Sequence, residues 1–177
     1  MSAKKTSPHK RSRTVKWQDP AIMVNALPEM SGLDFLRSMK DGTLDGPPVL
    51  NLIGFRLTEF EEGHVVFVLD PAEYHYNPTG AVHGGVTCTV LDSAATCAVH
   101  STLPAGMATT TLEIKINYLR PIKSENGPMR CEAGLIHKGN RIVVAEAKMA
   151  DRRGLLYAYA VSTCLVFETP KVGPRQK

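Results

Sequence analysis

Two hydrophobic patterns stand out along the chain. Between Thr111 and Tyr118, apolar residues alternate with polar ones, which predicts a β-strand with one buried face that includes Leu112, Ile114 and Ile116. Between Val86 and Ser101 the chain contains neither proline nor glycine and consists mainly of Ala, Val, Leu, Cys, Ser and Thr. That composition predicts a long, buried helix.

Weaker patterns predict the remaining elements. Ser31 is placed to cap a short helix from Gly32 to Lys40. Further strands are predicted over Val49–Phe60, His64–Leu69, Met129–His137, Arg141–Ala150 and Leu155–Phe167. The order of two strands, one helix and four strands predicts an α+β fold in which an antiparallel sheet wraps around one long central helix.

A glycine-rich segment from Asn77 to Gly85 leads into the long helix. The N–H groups at a helix N-terminus can stabilise a developing oxyanion, and glycines let a ligand approach them. Asp92 is the only acid in the helix and lies seven residues after Gly85, which is about 20° short of two full turns. The spacing predicts a carboxylate on the same side as the glycines, and this combination is suited to acyl transfer or hydrolysis.

Length and composition favour one globular domain with extensions. The chain has 177 residues and 43% hydrophobic residues, without an apolar run long enough to cross a membrane. We expect a flexible, basic extension over residues 1–28, a short helix and linker over 29–48, the main domain over 49–169 and a tail over 170–177. Because no secretion signal is evident, we expect a cytoplasmic protein without a membrane partner.

The formal charge of +4 originates in the N-terminal extension. Residues 1–16 contain six of the 21 Lys and Arg residues and no acid, so 15 basic residues face 17 acidic ones in the remainder. A basic arm can contact nucleic acid, but we expect a solvated terminus instead. The four cysteines have no CxxC spacing, which favours buried free thiols, and we expect neither a metal site nor a cofactor.

Two motifs in order resemble those of a known family. They are Asn77-x5-His83-Gly84-Gly85-x6-Asp92 and Thr111-x-Glu113-x4-Tyr118-Leu119-Arg120-Pro121. Over roughly Val49 to Phe167, the chain resembles the hotdog-fold acyl-CoA thioesterases of the phenylacetate-degradation (PaaI-like) type. The resemblance implies a hotdog fold and hydrolysis of an aryl- or fatty-acyl-CoA to free acid and CoA, with coenzyme A as part of the substrate.

The resemblance also implies roles for individual residues. Asp92 would act as nucleophile or general base, and Gly84 would donate its backbone N–H to the thioester carbonyl. Asn77 would position the thioester or the attacking water. A Ser or Thr at the start of the next strand would support the water or the carboxylate; counting from Tyr118 gives Thr111, whereas counting from Asp92 gives Thr110.

Other residues have both a functional and a structural interpretation. His83 and Gly85 are expected to line the site, although His83 can be a hydrogen-bonding residue of the fold. Thr96 can bond the carboxylate or water of the site, or only its own helix backbone. The acyl group is expected in an apolar channel that could include Leu33, Leu36 or Tyr76. Four basic residues are candidates to bind the CoA phosphates, and each of them can instead be a solvated surface charge. They are Arg120, Lys123, Lys138 and Arg141.

The resemblance also implies homodimers with two sites at the interface, each built from both chains, so that Asp92 of one chain would act with Gly84 of its partner. We expect a dimer of dimers. One alternative is a hotdog dehydratase or hydratase. These enzymes use a His together with an Asp or Glu on a different motif, and the sequence contains no matching pair. The other is a non-catalytic acyl-CoA-binding or regulatory hotdog module, which the basic extension would suit. Asp92 and Asn77 favour the enzyme, since a binding module needs no carboxylate facing a thioester.

Overall fold

Six antiparallel strands form one sheet in the computed structural model, which describes residues 10–169. The strands are β1 (Phe55–Glu61), β2 (His64–Leu69), β3 (Met107–Tyr118), β4 (Met129–Lys138), β5 (Ile142–Ala150) and β6 (Leu156–Glu168). Their order across the sheet is β1-β2-β4-β5-β6-β3, so that β1 and β3 form the two edges. Strands β2 to β6 lie within two residues of their predicted bounds, except that β3 begins four residues earlier.

The long helix α4 (Gly84–His100) packs against the sheet and contacts β2 through β6. Its core-facing positions include Leu91, Ala94 and Ala98, all fully buried. Alanines on the central strands, such as Ala147 and Ala160, are also fully buried and allow the helix to lie close to the sheet. The predicted α+β hotdog architecture, an antiparallel sheet around one central helix, is confirmed.

A β-bulge alters the face pattern predicted for β3. Thr111 pairs with Cys164 and Glu113 pairs with Thr163, so Leu112 is an additional residue without its own partner. Leu112 is therefore 57% exposed, although the alternation predicted that it would share the buried face of Ile114 and Ile116. An extra residue in one strand reverses the direction of the side chains that follow it, which a regular alternation cannot predict.

Three helices precede the sheet: α1 (Pro20–Ala26), α2 (Gly32–Asp41) and α3 (Pro48–Ile53). The predicted helix after Ser31 is confirmed, because the Ser31 hydroxyl accepts a hydrogen bond from the Asp34 N–H at 3.2 Å. The strand predicted over Val49–Phe60 is wrong in its first half, where α3 occurs. Pro48 starts this helix and Gly54 ends it with φ +90°, which are typical helix boundaries.

The N-terminal extension is structured in part. Helix α1 lies within the segment that was expected to be flexible, and Asp19 caps its N-terminus. The Arg13 guanidinium donates hydrogen bonds to the carbonyls of Leu52 and Asn51 at 2.6 and 2.7 Å. Residues 1–9 and the predicted tail over 170–177 lie outside the described residues, and the predicted domain boundaries stay predictions. Among residues 10–169, no helix has the length and apolar character needed to cross a membrane.

Candidate active site

Asp92 lies halfway along α4, and a threonine of β3 holds its carboxylate. The Thr111 hydroxyl donates a hydrogen bond of 2.7 Å to Asp92 Oδ1. No hydrogen bond is formed to Oδ2 among the residues that the structure describes, so this oxygen is free to accept a proton. One fixed and one free carboxylate oxygen is an arrangement suited to general-base chemistry.

The structure distinguishes the two candidate threonines and places Thr96. Thr111 contacts the carboxylate, whereas Thr110 is exposed and only lines the same cavity. Thr96 donates to the backbone carbonyl of Asp92 at 2.7 Å, and its hydroxyl lies 3.2 Å from that of Thr111. Of the two interpretations of Thr96, the helix-backbone bond is the one observed, and its hydroxyl supports the carboxylate only through Thr111.

A cavity of about 360 Å³ opens beside Asp92. One side is polar and is formed by residues of α4 and β3, including Ser93 and Thr109. The other side is apolar and comes from α2, β2 and the region around α3; its residues are Phe35, Met39, Pro47, Val49, Leu50 and Phe67. Burial and the neighbouring Asp92 raise the pKa of the Cys97 thiol in this wall to about 12, so that this cysteine stays neutral.

The glycines at the start of α4 have distinct hydrogen-bonding states. His83 is the N-cap, and its Nδ1 accepts the Gly85 N–H at 2.9 Å. The Gly84 N–H makes no hydrogen bond among residues 10–169, and it is therefore the N–H group that is free for a ligand. Tyr118 donates its hydroxyl to the Gly84 carbonyl at 3.0 Å and fixes the orientation of this peptide.

Asn77 lies in the loop before α4 and lines a second cavity, of about 400 Å³, together with Gly84. Its Oδ1 accepts hydrogen bonds from Thr79 N–H, the Thr79 hydroxyl and Ala81 N–H at 3.0, 2.7 and 3.3 Å. These bonds orient the side-chain amide, and its Nδ2 makes no hydrogen bond within the described part of the chain. Asn77 and Gly84, each with one donor that is unused among the described residues, thus line the same cavity.

Asp92 and Gly84 do not share a cavity within one chain. Gly84 lines the cavity of Asn77 and Tyr118, whereas Asp92 lines the cavity of Thr111 and Phe35. Eight helical residues separate them by roughly 12 Å along the axis. The predicted rotational phase places the acid on the same side of the helix as the glycines, but about two turns away along the axis.

The candidate phosphate-binding residues are found at opposite ends of α4. Arg120 lines the cavity of Gly84 and donates to the Leu156 carbonyl at 2.6 Å. Lys138 donates to the Thr102 carbonyl at 3.2 Å, just beyond the C-terminus of α4, and Arg141 follows it after a turn. Lys123 lies 3.9 Å from Glu125. Within one chain, Arg120 and Lys138 are therefore near opposite ends of α4.

Three residues expected near the acyl group line neither cavity. The Tyr76 hydroxyl donates to Ser124 Oγ and accepts from the Ser124 N–H, both at 2.8 Å. Leu36 is fully buried in the core, and Leu33 lies one turn earlier on the same helix. His83, which was expected to line the site, lines neither cavity and instead caps the N-terminus of α4.

Sequence analysis missed the residues that form the apolar side of the Asp92 cavity. Phe35 and Met39 lie four residues apart on α2, as expected for one helix face, but nothing in the sequence indicated which surface this face covers. Val49 and Leu50 belong to the segment misread as a strand. The pair Pro47-Pro48, followed by Gly54, was the signal that could have identified a short helix there.

Comparisons with known proteins give matches over the same part of the chain. Residues 79–158 match the family model described as "Thioesterase superfamily". A protein of Saccharolobus solfataricus with a provisional esterase name is 33% identical over 119 residues, covering 67% of this chain and 77% of that protein. The 1,4-dihydroxy-2-naphthoyl-CoA hydrolase of Listeria monocytogenes is 28% identical over 114 residues, covering 64% of this chain and 89% of that protein.

A solved structure matches the fold. It is that of a phenylacetic acid degradation-related protein from Ralstonia eutropha, named provisionally as a thioesterase. The two structures align with a TM-score of 0.68 and 26% sequence identity, over 73% of this chain and 98% of the other. The alignment thus covers nearly the whole of that protein.

Proposed function

Because the chain belongs to the thioesterase superfamily and is a thioester hydrolase, we propose that it hydrolyses acyl-CoA thioesters with Asp92 as the general base. The observation that carries this proposal is the carboxylate of Asp92, with one oxygen held by Thr111 at 2.7 Å and the other free. Coenzyme A enters as part of the substrate, as the name of the Listeria relative also suggests.

In the proposed reaction, a water molecule attacks the thioester carbonyl carbon while Asp92 takes one of its protons. The carbonyl oxygen gains negative charge in the tetrahedral intermediate, and the Gly84 N–H stabilises that charge at the α4 N-terminus. The C–S bond then breaks, and protonated Asp92 returns its proton to the departing CoA thiolate. The carboxylic acid product loses its own proton to solvent and is released as a carboxylate.

We assign the two halves of this site to different protomers. Gly84 and Asp92 lie in separate cavities, about 12 Å apart along one helix, so they cannot act on one carbonyl within a chain. The edge strand β3 offers a surface for a second copy, since all 12 of its residues lie at the sheet edge and Leu112 and Tyr118 are more than half exposed. Long, unprotected edges favour strand pairing between chains. A two-fold pairing would form two equivalent sites.

The decisive test of Asp92 is the variant Asp92→Asn, with free CoA thiol measured over a panel of acyl-CoAs. The amide cannot accept the proton, so we expect kcat to fall at least ~10²-fold. Ser93→Ala is the matched control, because Ser93 lines the same cavity on the adjacent position of α4 but carries no charge. Activity of Asp92→Asn within a few-fold of wild type would refute the general-base role.

The shared site has a separate test. Asp92→Asn and Gly84→Pro, which lacks the backbone N–H, should each lose at least ~10²-fold in kcat, but mixed subunits should regain activity. Random pairing of equal amounts restores one intact site in half of the dimers, or about a quarter of all sites. If mixing after subunit exchange restores nothing, each chain contains its own complete site. A non-catalytic acyl-CoA-binding module, the alternative from the sequence, would show no turnover in any of these assays.

A further inference from the structure

The cavity beside Asp92 is lined by apolar as well as polar side chains. Phe35 and Met39 of α2 and Leu50 of α3 share its lining with Asp92 and Thr111. A thioester carbonyl within reach of the Asp92 carboxylate would therefore direct its acyl group into this space. At about 360 Å³, the cavity has the size of a pocket for a small ligand.

The lining that one protomer contributes carries only negative charge. Asp92 is its only carboxylate, and this part of the lining contains no Lys, Arg or His. A second carboxylate at the far end of an acyl chain would lose its hydration without a cationic partner. It would also face the like charge of Asp92.

A glycine lies next to two of the side chains that line the cavity. A Cβ added at Gly46 would lie 2.5 Å from Leu50 Cδ1 and 3.3 Å from Met39 Cε, while Gly46 itself lines no part of the cavity. A methyl group at Gly46 would therefore act on the cavity only through these two side chains. Their flexible ends would have to move, which would change the space that they leave for an acyl chain.

We propose that this cavity is the acyl pocket, that it accepts uncharged, apolar acyl groups and excludes acyl groups with a terminal carboxylate, and that Met39 and Leu50 limit the acyl length. The inference rests on the proposed function, because it places the thioester carbonyl at Asp92. It adds the substrate class and the residues that select it.

The charge selection is tested with pairs of equal length, such as butanoyl-CoA with succinyl-CoA and hexanoyl-CoA with adipoyl-CoA. We expect kcat/KM for the carboxylated member of an accepted pair to be at least ~10²-fold lower. Comparable values within a pair would overturn the exclusion of charged acyl groups. Turnover of no acyl-CoA at all would instead refute the proposed function, and this inference with it.

The length selection is tested with Gly46→Ala and Leu50→Ala over a straight-chain series from acetyl-CoA upward. Gly46→Ala should lower kcat/KM for the longest accepted chain about tenfold and leave acetyl-CoA within about twofold. Leu50→Ala should have the opposite effect and extend the accepted length. The control is Leu52→Ala, which lies on the same helix but is 60% exposed.

The two variants overturn the proposal in different ways. If both keep the wild-type length profile while hydrolysis itself continues, the pocket lies elsewhere and the general-base proposal is unaffected. If Gly46→Ala does not fold, Leu50→Ala decides alone, since it removes side-chain atoms and introduces no new contact. A shift in the profile of Leu52→Ala equal to that of Leu50→Ala would also refute the assignment, because it would indicate a general effect of α3.

Discussion

Replacing Gly84 by proline removes one hydrogen atom that the proposed mechanism needs. Gly84 is the first residue of α4, where proline is well tolerated because its missing N–H has no partner inside the helix. His83 precedes it with φ −59° and ψ 137°, a conformation that is compatible with a following proline. Gly84→Pro should therefore fold, keep α4 and lack the oxyanion donor.

The loss of kcat in Gly84→Pro combines the missing N–H with the steric effect of the added side-chain atoms, and a control variant separates the two. A Cβ at position 84 would lie 3.3 to 3.5 Å from three atoms of the Tyr118 side chain, which is 54% exposed and can shift. Gly84→Ala adds this Cβ and retains the N–H, so it measures the steric part alone. Losing one oxyanion donor costs ~10²–10³ in kcat, or about 2.7–4 kcal/mol of transition-state stabilisation. Loss of the Tyr118 hydrogen bond to Gly84 accounts for only about 1 kcal/mol.

The assay compares release of CoA thiol by wild type, Gly84→Ala and Gly84→Pro, with circular dichroism and thermal unfolding for each protein. We expect Gly84→Pro to be at least ~10²-fold slower than Gly84→Ala, at similar helix content. If the two variants have equal kcat, the Gly84 N–H does not stabilise the transition state. If both are strongly impaired, the cause is the contact with Tyr118 and not the hydrogen bond.

Three further predictions concern the support of the site and the stability of the fold. Thr111→Val removes the hydroxyl that donates to the Asp92 carboxylate and should lower kcat by ~10–100-fold. An unchanged kcat would exclude a supporting role of Thr111 in catalysis. Gly32→Ala should destabilise the fold by about 3 kcal/mol or more in denaturant titration, because its Cβ would lie only 1.7 Å from the His100 carbonyl oxygen; a wild-type midpoint would contradict this. Burial lowers the pKa of His75, so stability should fall as the pH drops below about 6.5, where the unfolded chain takes up the proton first. His75→Gln should reduce this slope by up to about 1.4 kcal/mol per pH unit, and identical slopes would refute the assignment.

The elements that follow from local chemistry were predictable from the sequence. The central helix was predicted within two residues at its start and one at its end, because the interval without proline or glycine coincides with its buried length. The helix after Ser31 was predicted because a capping hydroxyl marks its start, Leu33, Leu36 and Met39 have helical spacing, and Asp41-Gly42 marks its end. Both predictions depend on residues that are neighbours in the chain.

The features that sequence analysis missed depend on contacts across the fold. The bulge at Leu112 is visible only when β3 is paired with β6, since it changes which residues face each other. The apolar wall of the Asp92 cavity combines α2, α3 and β2, whose relative positions no local pattern specifies. Thr110 and Thr111 could not be distinguished by counting, whereas one hydrogen bond to Asp92 distinguishes them.

The position of Asp92 on α4 explains why rotational phase was predictable and proximity was not. A spacing of seven residues from Gly85 returns a side chain to nearly the same side of a helix, but it also moves it about 10 Å along the axis. A helix is rigid over two turns, so no change of rotamer brings the Asp92 carboxylate to the α4 N-terminus of its own chain. Two copies related by a two-fold axis remove this restriction, because the Asp92 carboxylate of one copy can lie near the Gly84 N–H of the other. The same helix geometry that separates the two groups is thus the physical argument for placing the site between protomers.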